Sequence, residues 1–174
     1  MEGTVEMLKA EFVNPFLEAA CEVFETETGA KLQKGPISVQ KSSLTSQEVS
    51  VLLGITGEIH GQVIYGISSK AAKRIASAMI GRNVPLLDEL AQSAISELGN
   101  MITGLATVKF GESYSSLAIT PPTLIIGQKV LISTIDIQRL YVVLMSEFGD
   151  IEVSIALKER VNAEDILASK KAAS

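Results

Sequence analysis

The sequence predicts an α/β domain of the α+β kind, with long helices packed on one side of an antiparallel sheet. Of its 174 residues, 47% are hydrophobic but only 5% are aromatic, so the core is expected to be aliphatic. Segments whose apolar residues follow a helical period alternate with pairs of Val- and Ile-rich segments. This order is expected for β-hairpins covered by helices. The spacing Glu-x2-Asn-x21-Pro begins at Glu11 and again at Glu97, which indicates an internally duplicated fold with pseudo-twofold halves.

Length and charge limit the number of domains and the kinds of partner. We expect residues 1–160 to form a single domain, which would bury about two thirds of its unfolded surface, and residues 161–174 to form a C-terminal tail. The net charge is −5 and the basic residues are dispersed, which argues against nucleic-acid binding. No apolar run reaches the ~18 residues of a membrane span, and the N-terminus lacks a signal-peptide pattern. We therefore expect a cytoplasmic protein without membrane insertion.

In the first half, Asn14 is predicted to cap a helix that begins at Pro15 and ends at Gly29. Strands are predicted over 37–42, 48–55 and 59–67, the last two joined by the turn in ITGEIHGQ. Ser69 is predicted to cap a second helix over 70–80, which Gly81 closes.

In the second half, Pro85 is predicted to open a long helix over about 86–109. Apolar alternation then predicts five strands, over 115–119, 123–126, 129–137, 140–147 and 151–158.

One face of the long helix carries polar side chains. At about 100° per residue, Ser93, Glu97, Asn100 and Gly104 fall within a sector of about 60°, and the apolar residues are expected opposite, Leu90 among them. A carboxylate beside a carboxamide can meet a phosphorylated partner, because one group accepts hydrogen bonds and the other both donates and accepts.

Glycines and prolines around this face have separate expected roles. Gly104 leaves a patch without side chains where a partner's backbone could approach. Gly99 lies off the stripe and predicts tight packing at a helix crossing. Pro122 follows Asn100 after 21 residues and is expected to hold a strand rigidly behind the helix.

The sequence argues against several other functions, because it lacks the motifs that they require. The chain has no P-loop, no dinucleotide-binding glycine pattern and no paired His or Cys spacing for a metal. Ser93 is not expected to act as a nucleophile, because the single histidine, His60, is predicted in a hairpin turn with no acid to orient it. The single cysteine, Cys21, allows no internal disulfide and is expected to be a buried, inert thiol.

The pattern Ser93-x3-Glu97-x2-Asn100-x21-Pro122 resembles the motif of the CheC/CheX/FliY family of chemotaxis phosphatases. The flanking segments LDELAQSAISELGNMITGLA and ITPPT resemble its CheX branch. The resemblance implies a CheC-like fold built from two halves, so that residues 1–160 would be one CheX-like domain, and it implies a homodimer. It also implies catalytic roles for Glu97 and Asn100, with Ser93, Gly104 and Pro122 in support or in contact with a partner.

The function implied by this resemblance is hydrolysis of the aspartyl phosphate of a response-regulator receiver such as phosphorylated CheY. Asn100 would hold the attacking water in line and Glu97 would pair with a receiver lysine. The receiver would bring the Mg²⁺, so this chain is expected to need no cofactor of its own. Two alternatives remain open: a non-catalytic adaptor that binds a receiver or a flagellar-switch component through the same surface, and a structural subunit with a vestigial motif.

The first copy of the repeat is not expected to form a second site. Met7 stands where Ser93 stands in the second copy. If the helix begins at Pro15, Glu11 precedes it and shares no helix face with Asn14. Glu11 is then a surface charge and Asn14 a cap.

Overall fold

The protein is described by a computed structural model over residues 10–40, 43–45, 47–111, 114, 116–134 and 137–160. Three helices and nine strands are found within these ranges. In chain order they are α1 (Ala10–Thr28), β1 (Gln33–Gln40), β2 (Ser43–Thr45), β3 (Val49–Gly57), β4 (Ile59–Ile67), α2 (Ser69–Ile80), α3 (Glu89–Phe110), β5 (Leu117–Ile119), β6 (Thr123–Ile126), β7 (Leu131–Ser133), β8 (Arg139–Met145) and β9 (Ile151–Glu159). The predicted tail, 161–174, lies outside the described residues.

A seven-stranded antiparallel sheet organises the fold. The strand order is β1-β8-β9-β4-β3-β5, and β6 pairs with a second stretch of β3. Strands β2 and β7 pair separately. The helices pack on the sheet and on one another through a core made mostly of Val, Ile, Leu and Ala. The predicted α+β class, with helices on an antiparallel sheet, is confirmed.

The strand order carries the twofold relation that the sequence repeat predicts. Exchanging β1 with β6, β3 with β8 and β4 with β9 leaves the pairing β1-β8-β9-β4-β3-β6 unchanged, and β2 and β7 already pair with each other. Strand β5, on the other stretch of β3, has no counterpart among the described residues of the first half. Each half begins with a long helix, α1 or α3, and α1 packs against α3 through contacts such as Phe16 on Phe110, whose ring centroids are 5.9 Å apart. The duplicated architecture is therefore visible in the topology.

Helix α1 begins earlier than predicted, at Ala10, so Pro15 lies inside it and Asn14 is not its cap. A proline inside a helix costs about 3 kcal/mol, because its nitrogen cannot donate to the preceding turn. Phe12, Val13 and Phe16 are all buried, and burial of such side chains contributes ~1.5–3 kcal/mol each, which offsets that cost. The prediction that Glu11 precedes the helix and shares no helix face with Asn14 is wrong, since both residues lie in α1 and both are exposed.

Other boundaries shift because a side chain other than the predicted one caps the helix. Ser68, not Ser69, caps α2, and its hydroxyl accepts from the Ala71 N–H; Gly81 ends this helix with φ of 76°, as predicted. Helix α3 begins at Glu89 rather than near Pro85, because the Asp88 carboxylate accepts from the Ala91 N–H at 2.9 Å. His60 lies within β4, not in a turn.

Among the described residues, no helix is both long and apolar enough to cross a membrane. That residues 1–160 unfold as a single domain stays a prediction.

Candidate functional site

Helix α3 presents the predicted motif on its outward face. Its 22 residues bury one side against the sheet and α1. The buried positions are Ala91, Ile95, Leu98, Gly99, Ile102, Thr103, Ala106 and Phe110. Because these positions follow the helical period, the opposite side of α3 is left open to solvent.

The predicted site residues of α3 lie together on this open side. Ser93 and Glu97 are exposed, while Asn100 and Gly104 are half-buried. The Asn100 Nδ2 donates to Glu97 Oε2 over 3.5 Å, a long contact that leaves the carboxamide and the carboxylate able to exchange partners. A hydrogen-bond donor and an anionic acceptor are thus held side by side on a regular helix.

A shallow groove of about 500 Å³ runs beside Ser93 and Glu97, between α3 and the start of β6. Its lining residues are Glu89, Gln92, Ser93, Ser96, Glu97, Pro122 and Leu124. Pro122 therefore borders the site across the groove, while Asn100 and Gly104 lie outside the lining. The lining has two carboxylates and no basic side chain, so it favours a cationic group on whatever enters.

The position of Pro122 is set by a backbone contact with β3. The Gly54 N–H donates to Thr120 Oγ1 at 2.8 Å, and the Thr120 N–H donates to the Gly54 carbonyl at 2.9 Å. Residues 120–122 are thereby fixed on the sheet between β5 and β6. The prediction of a strand held behind the motif helix describes Pro122 in part, since this residue also forms one wall of the groove.

A close approach at Gly99 fixes the helix turn that carries Glu97 and Asn100. A Cβ on Gly99 would lie 2.9 Å from Val51 Cγ1 and 3.2 Å from Tyr65 Cδ2. The tight packing predicted at Gly99 is present, but the neighbour is the sheet and not another helix. By contrast, a Cβ on Gly104 would meet only Ile119 Cδ1, at 4.0 Å, which agrees with an open patch.

A buried hydrogen-bond chain secures the same turn. The Thr103 hydroxyl donates to the Gly99 carbonyl at 2.8 Å, so the Tyr65 hydroxyl, 2.9 Å away, donates to Thr103 Oγ1. Burial raises the pKa of Tyr65 far above its usual value, more than the bond to Thr103 lowers it, so the phenol remains a donor. Sequence reasoning missed both residues, because Tyr65 reads as an ordinary strand aromatic and Thr103 as a helix-face residue.

We expect Tyr65→Phe to lower the free energy of unfolding by about 1–2 kcal/mol, because the Thr103 oxygen then stays buried without its donor. Urea denaturation of the variant and the wild type measures the difference. The double variant Tyr65→Phe/Thr103→Val should lose less than the sum of the single changes, since the two hydroxyls serve one bond. Equal stability of Tyr65→Phe and the wild type would contradict this role.

Within the described ranges, no group of three or more His, Cys, Asp or Glu side chains could hold a metal ion.

Cys21 is half-buried, whereas the sequence predicted a buried thiol. Burial, and to a lesser extent the nearby Glu25 carboxylate, raises the pKa of its thiol, which disfavours the reactive thiolate.

Comparisons with known proteins agree with this fold. A family model described as "Chemotaxis phosphatase CheX" matches residues 49–146. The CheY-P phosphatase CheX of Thermotoga maritima is 33% identical over 153 residues, covering 87% of this chain and 98% of that protein. A CheC-like superfamily protein from Shewanella sp. PV-4 has a TM-score of 0.79 at 24% identity, over 87% of this chain and 99% of that one.

A further similar structure is a complex. It is described as the CheX-CheY-BeF3-Mg+2 complex from Borrelia burgdorferi, with a TM-score of 0.73 and 26% identity over 85% of this chain and 98% of that chain. The fold and the matched sequence define a phosphatase with helices packed on a duplicated antiparallel sheet. The chain belongs to the CheX family of chemotaxis phosphatases.

Proposed function

We propose that this chain is a cytoplasmic phosphatase that hydrolyses the aspartyl phosphate of a response-regulator receiver such as phosphorylated CheY. The observation that carries the proposal is the pair of adjacent side chains, Glu97 and Asn100, on the open face of α3. The Thermotoga relative, named a CheY-P phosphatase, and the Borrelia complex with CheY support this substrate class.

Hydrolysis of an aspartyl phosphate depends more on the placement of the attacking water than on a strong base. An aspartyl phosphate is an acyl phosphate, and phosphoryl transfer passes through a loose transition state with the attacking and leaving oxygens in line. Holding one water at the correct angle therefore supplies much of the acceleration. A carboxylate that acted directly as the base would be repelled by the anionic phosphoryl group.

We assign to Asn100 the role of holding the attacking water. Its carboxamide can donate one hydrogen bond and accept another, so it can fix both the position and the orientation of a water molecule. Glu97 is assigned to a lysine of the receiver, because an exposed carboxylate in an acidic groove attracts a cation. When Glu97 takes that partner, its long contact with Asn100 is released and the carboxamide becomes available.

The remaining motif residues support the approach of the receiver. Ser93 lies one turn before Glu97 and can orient it or contact the partner. Gly104 offers open space one turn beyond Asn100, so a partner's backbone can come close to the helix. Pro122 bounds the other side of the groove.

The proposal assigns Mg²⁺ to the receiver, where it neutralises charge on the phosphoryl oxygens. The Borrelia complex supports this assignment, because Mg²⁺ accompanies CheY and BeF3 in it. We also propose a homodimer, for which the edge strand β1, with its exposed Ile37 and Val39, offers unpaired backbone groups.

The direct test is phosphate release from a CheY-type receiver phosphorylated with a small-molecule donor, measured with and without this protein. We expect release to accelerate in proportion to the concentration of the protein. Binding of the phosphorylated receiver without acceleration would favour the adaptor function instead.

The first copy of the motif should not form a second site, although its helix is longer than predicted. Glu18 occupies the position in α1 that Gly104 occupies in α3, by the same offset of 86 residues. Its exposed carboxylate lies 3.9 Å from Lys109 Nζ, and that ammonium also lies 3.0 Å from Glu22. A partner's backbone would meet this ion-paired side chain where α3 offers open space.

We expect Asn14→Ala to change the rate of phosphate release by less than about twofold. Because Asn14 lies inside α1 and is exposed, the alanine should also leave stability unchanged or raise it by a few tenths of a kcal/mol, in line with its better helix propensity. Single-turnover kinetics and thermal denaturation measure the two effects. A rate loss as large as that of Asn100→Ala would mean two working sites.

A further inference from the structure

Two large apolar side chains of α3 stand exposed beside the face that carries the proposed catalytic pair. Leu90 is 49% exposed and Val108 is 71% exposed, although the other large apolar residues of α3 are buried or half-buried. The sequence prediction that Leu90 faces the core is therefore wrong. At about 100° per residue, the separation of 18 residues between Leu90 and Val108 makes five full turns, so the two side chains share one direction. Glu97 lies about 20° from that direction and Asn100 about 80° from it, on the same side.

Leu90 and Val108 bracket the site along the helix. With a rise of about 1.5 Å per residue they are ~27 Å apart, and Glu97 and Asn100 lie near the midpoint. A standard protein interface covers about 800 Å² on each partner, a disc about 32 Å across. A folded receiver domain that reaches Glu97 and Asn100 therefore also covers both apolar side chains, whereas a small phosphate ester would not.

We propose that Leu90 and Val108 form an apolar docking row that holds the phosphorylated receiver lengthwise across α3. This inference rests on the proposed function. The occupant is the receiver itself, through apolar side chains on both sides of its phosphorylated aspartate. Each contact is made equally before and during phosphoryl transfer, so it contributes to binding and not to the chemical step. The docking row therefore controls KM, and Asn100 controls kcat.

Single exposed apolar residues are common on protein surfaces and carry no function by themselves. The positions of these two residues distinguish them, since they share one line along α3, lie at nearly equal axial distances on either side of the proposed catalytic pair, and pass within about 20° of Glu97. Leu131 of β7 is equally exposed, at 71%, but lies on a different element and serves as the matched control.

The test compares Leu90→Ser, Val108→Ser, the double variant and the control Leu131→Ser in steady-state dephosphorylation of a CheY-type receiver. Each docking-row variant should raise KM about 5- to 30-fold and leave kcat within about twofold, because each loses apolar burial at the interface. The double variant should raise KM by the product of the two effects, since the side chains are too far apart to couple. Leu131→Ser should leave both constants unchanged.

Added salt provides a second readout. Raising the NaCl concentration should weaken the contribution of Glu97 to binding, while the ratio of KM between the docking-row variants and the wild type should persist, because apolar burial is not screened. Thermal denaturation checks folding, and the unfolding midpoints of the variants should stay close to that of the wild type, because both side chains are exposed.

The outcomes separate this inference from the function on which it rests. A wild-type protein that does not accelerate phosphate release overturns both. An active wild type whose KM is unchanged by Leu90→Ser and Val108→Ser overturns the docking row alone, as does a fall in kcat at constant KM. Light scattering that shows dissociation of a dimer in these variants, without a change in KM per protomer, would instead assign the row to a second copy of this chain.

Discussion

Replacing Asn100 with alanine should lower the rate of phosphate release by about 10²–10³-fold while the phosphorylated receiver still binds. This magnitude is typical for the loss of one preorganised contact that acts only in the transition state. In the proposed mechanism the carboxamide orients the attacking water and makes no essential contact with the receiver in the ground state, so affinity should be nearly unchanged.

Glu97→Ala should behave differently, because the proposed ion pair with a receiver lysine forms before the reaction. Binding and turnover should fall together. The double variant Glu97→Ala/Asn100→Ala should lose far less than the product of the single effects, since both side chains serve one insertion of α3 into the receiver site.

The measurement is single-turnover phosphate release, alongside affinity for a receiver that carries beryllofluoride in place of phosphate. Asn14→Ala is the matched control, because it removes the same side chain from the equivalent position of α1. Unchanged turnover in both single α3 variants, with a receiver that demonstrably binds, would leave only the adaptor function.

Gly99→Ala and Gly104→Ala should change stability in opposite directions, although the two glycines lie five residues apart on one helix. At Gly99 the new methyl group would come within 2.9 Å of Val51 Cγ1, a buried β-branched side chain with little room to move. Overpacking of this kind costs ~1–3 kcal/mol and exceeds the ~1 kcal/mol that alanine gains in helix propensity. At Gly104 the space is open, so the propensity gain remains and stability should rise by up to ~1 kcal/mol.

The two variants should also differ kinetically. Gly99→Ala lifts the turn that carries Glu97 and Asn100 off the sheet by a few tenths of an ångström, and because a misplacement of about 1 Å can cost ~10²-fold, we expect kcat to fall about tenfold. Gly104→Ala should raise KM, since its methyl group obstructs the receiver backbone. Urea denaturation and steady-state kinetics measure the four effects. A destabilised Gly104→Ala or a stabilised Gly99→Ala would show that α3 packs differently.

The helical face of the site was predictable because a period of 3.6 residues fixes directions within a single helix. Ser93, Glu97 and Asn100 needed no tertiary information. The ends of the helices were harder to predict, because alternative capping residues differ little in free energy. Asn14-Pro15 is a favourable start signal, but burial of Phe12 and Val13 extends α1 beyond it. Asp88 likewise outcompetes Pro85 because its carboxylate reaches a free N–H.

The support beneath the site could not be predicted from local patterns. Tyr65 and Thr103 are 38 residues apart, and their contact depends on how α3 lies on β3 and β4. The groove has the same origin, because a spacing of 21 residues says nothing about which wall Pro122 forms. Leu90 was misassigned because its apolar character was given more weight than its helical angle.

The exchange symmetry of the sheet has a consequence for how such a protein can diversify. Each half supplies its own leading helix to a common scaffold, so substitutions on the outer face of one helix leave the strand pairing of both halves intact. Acquiring or silencing a motif on α1 therefore changes a handful of solvent-facing side chains, Glu18 among them, and spares the hydrophobic interior. The two leading helices can therefore carry different side chains on one scaffold: α3 exposes the proposed catalytic pair, whereas α1 places Glu18 and Glu22 at 3.9 Å and 3.0 Å from Lys109 Nζ.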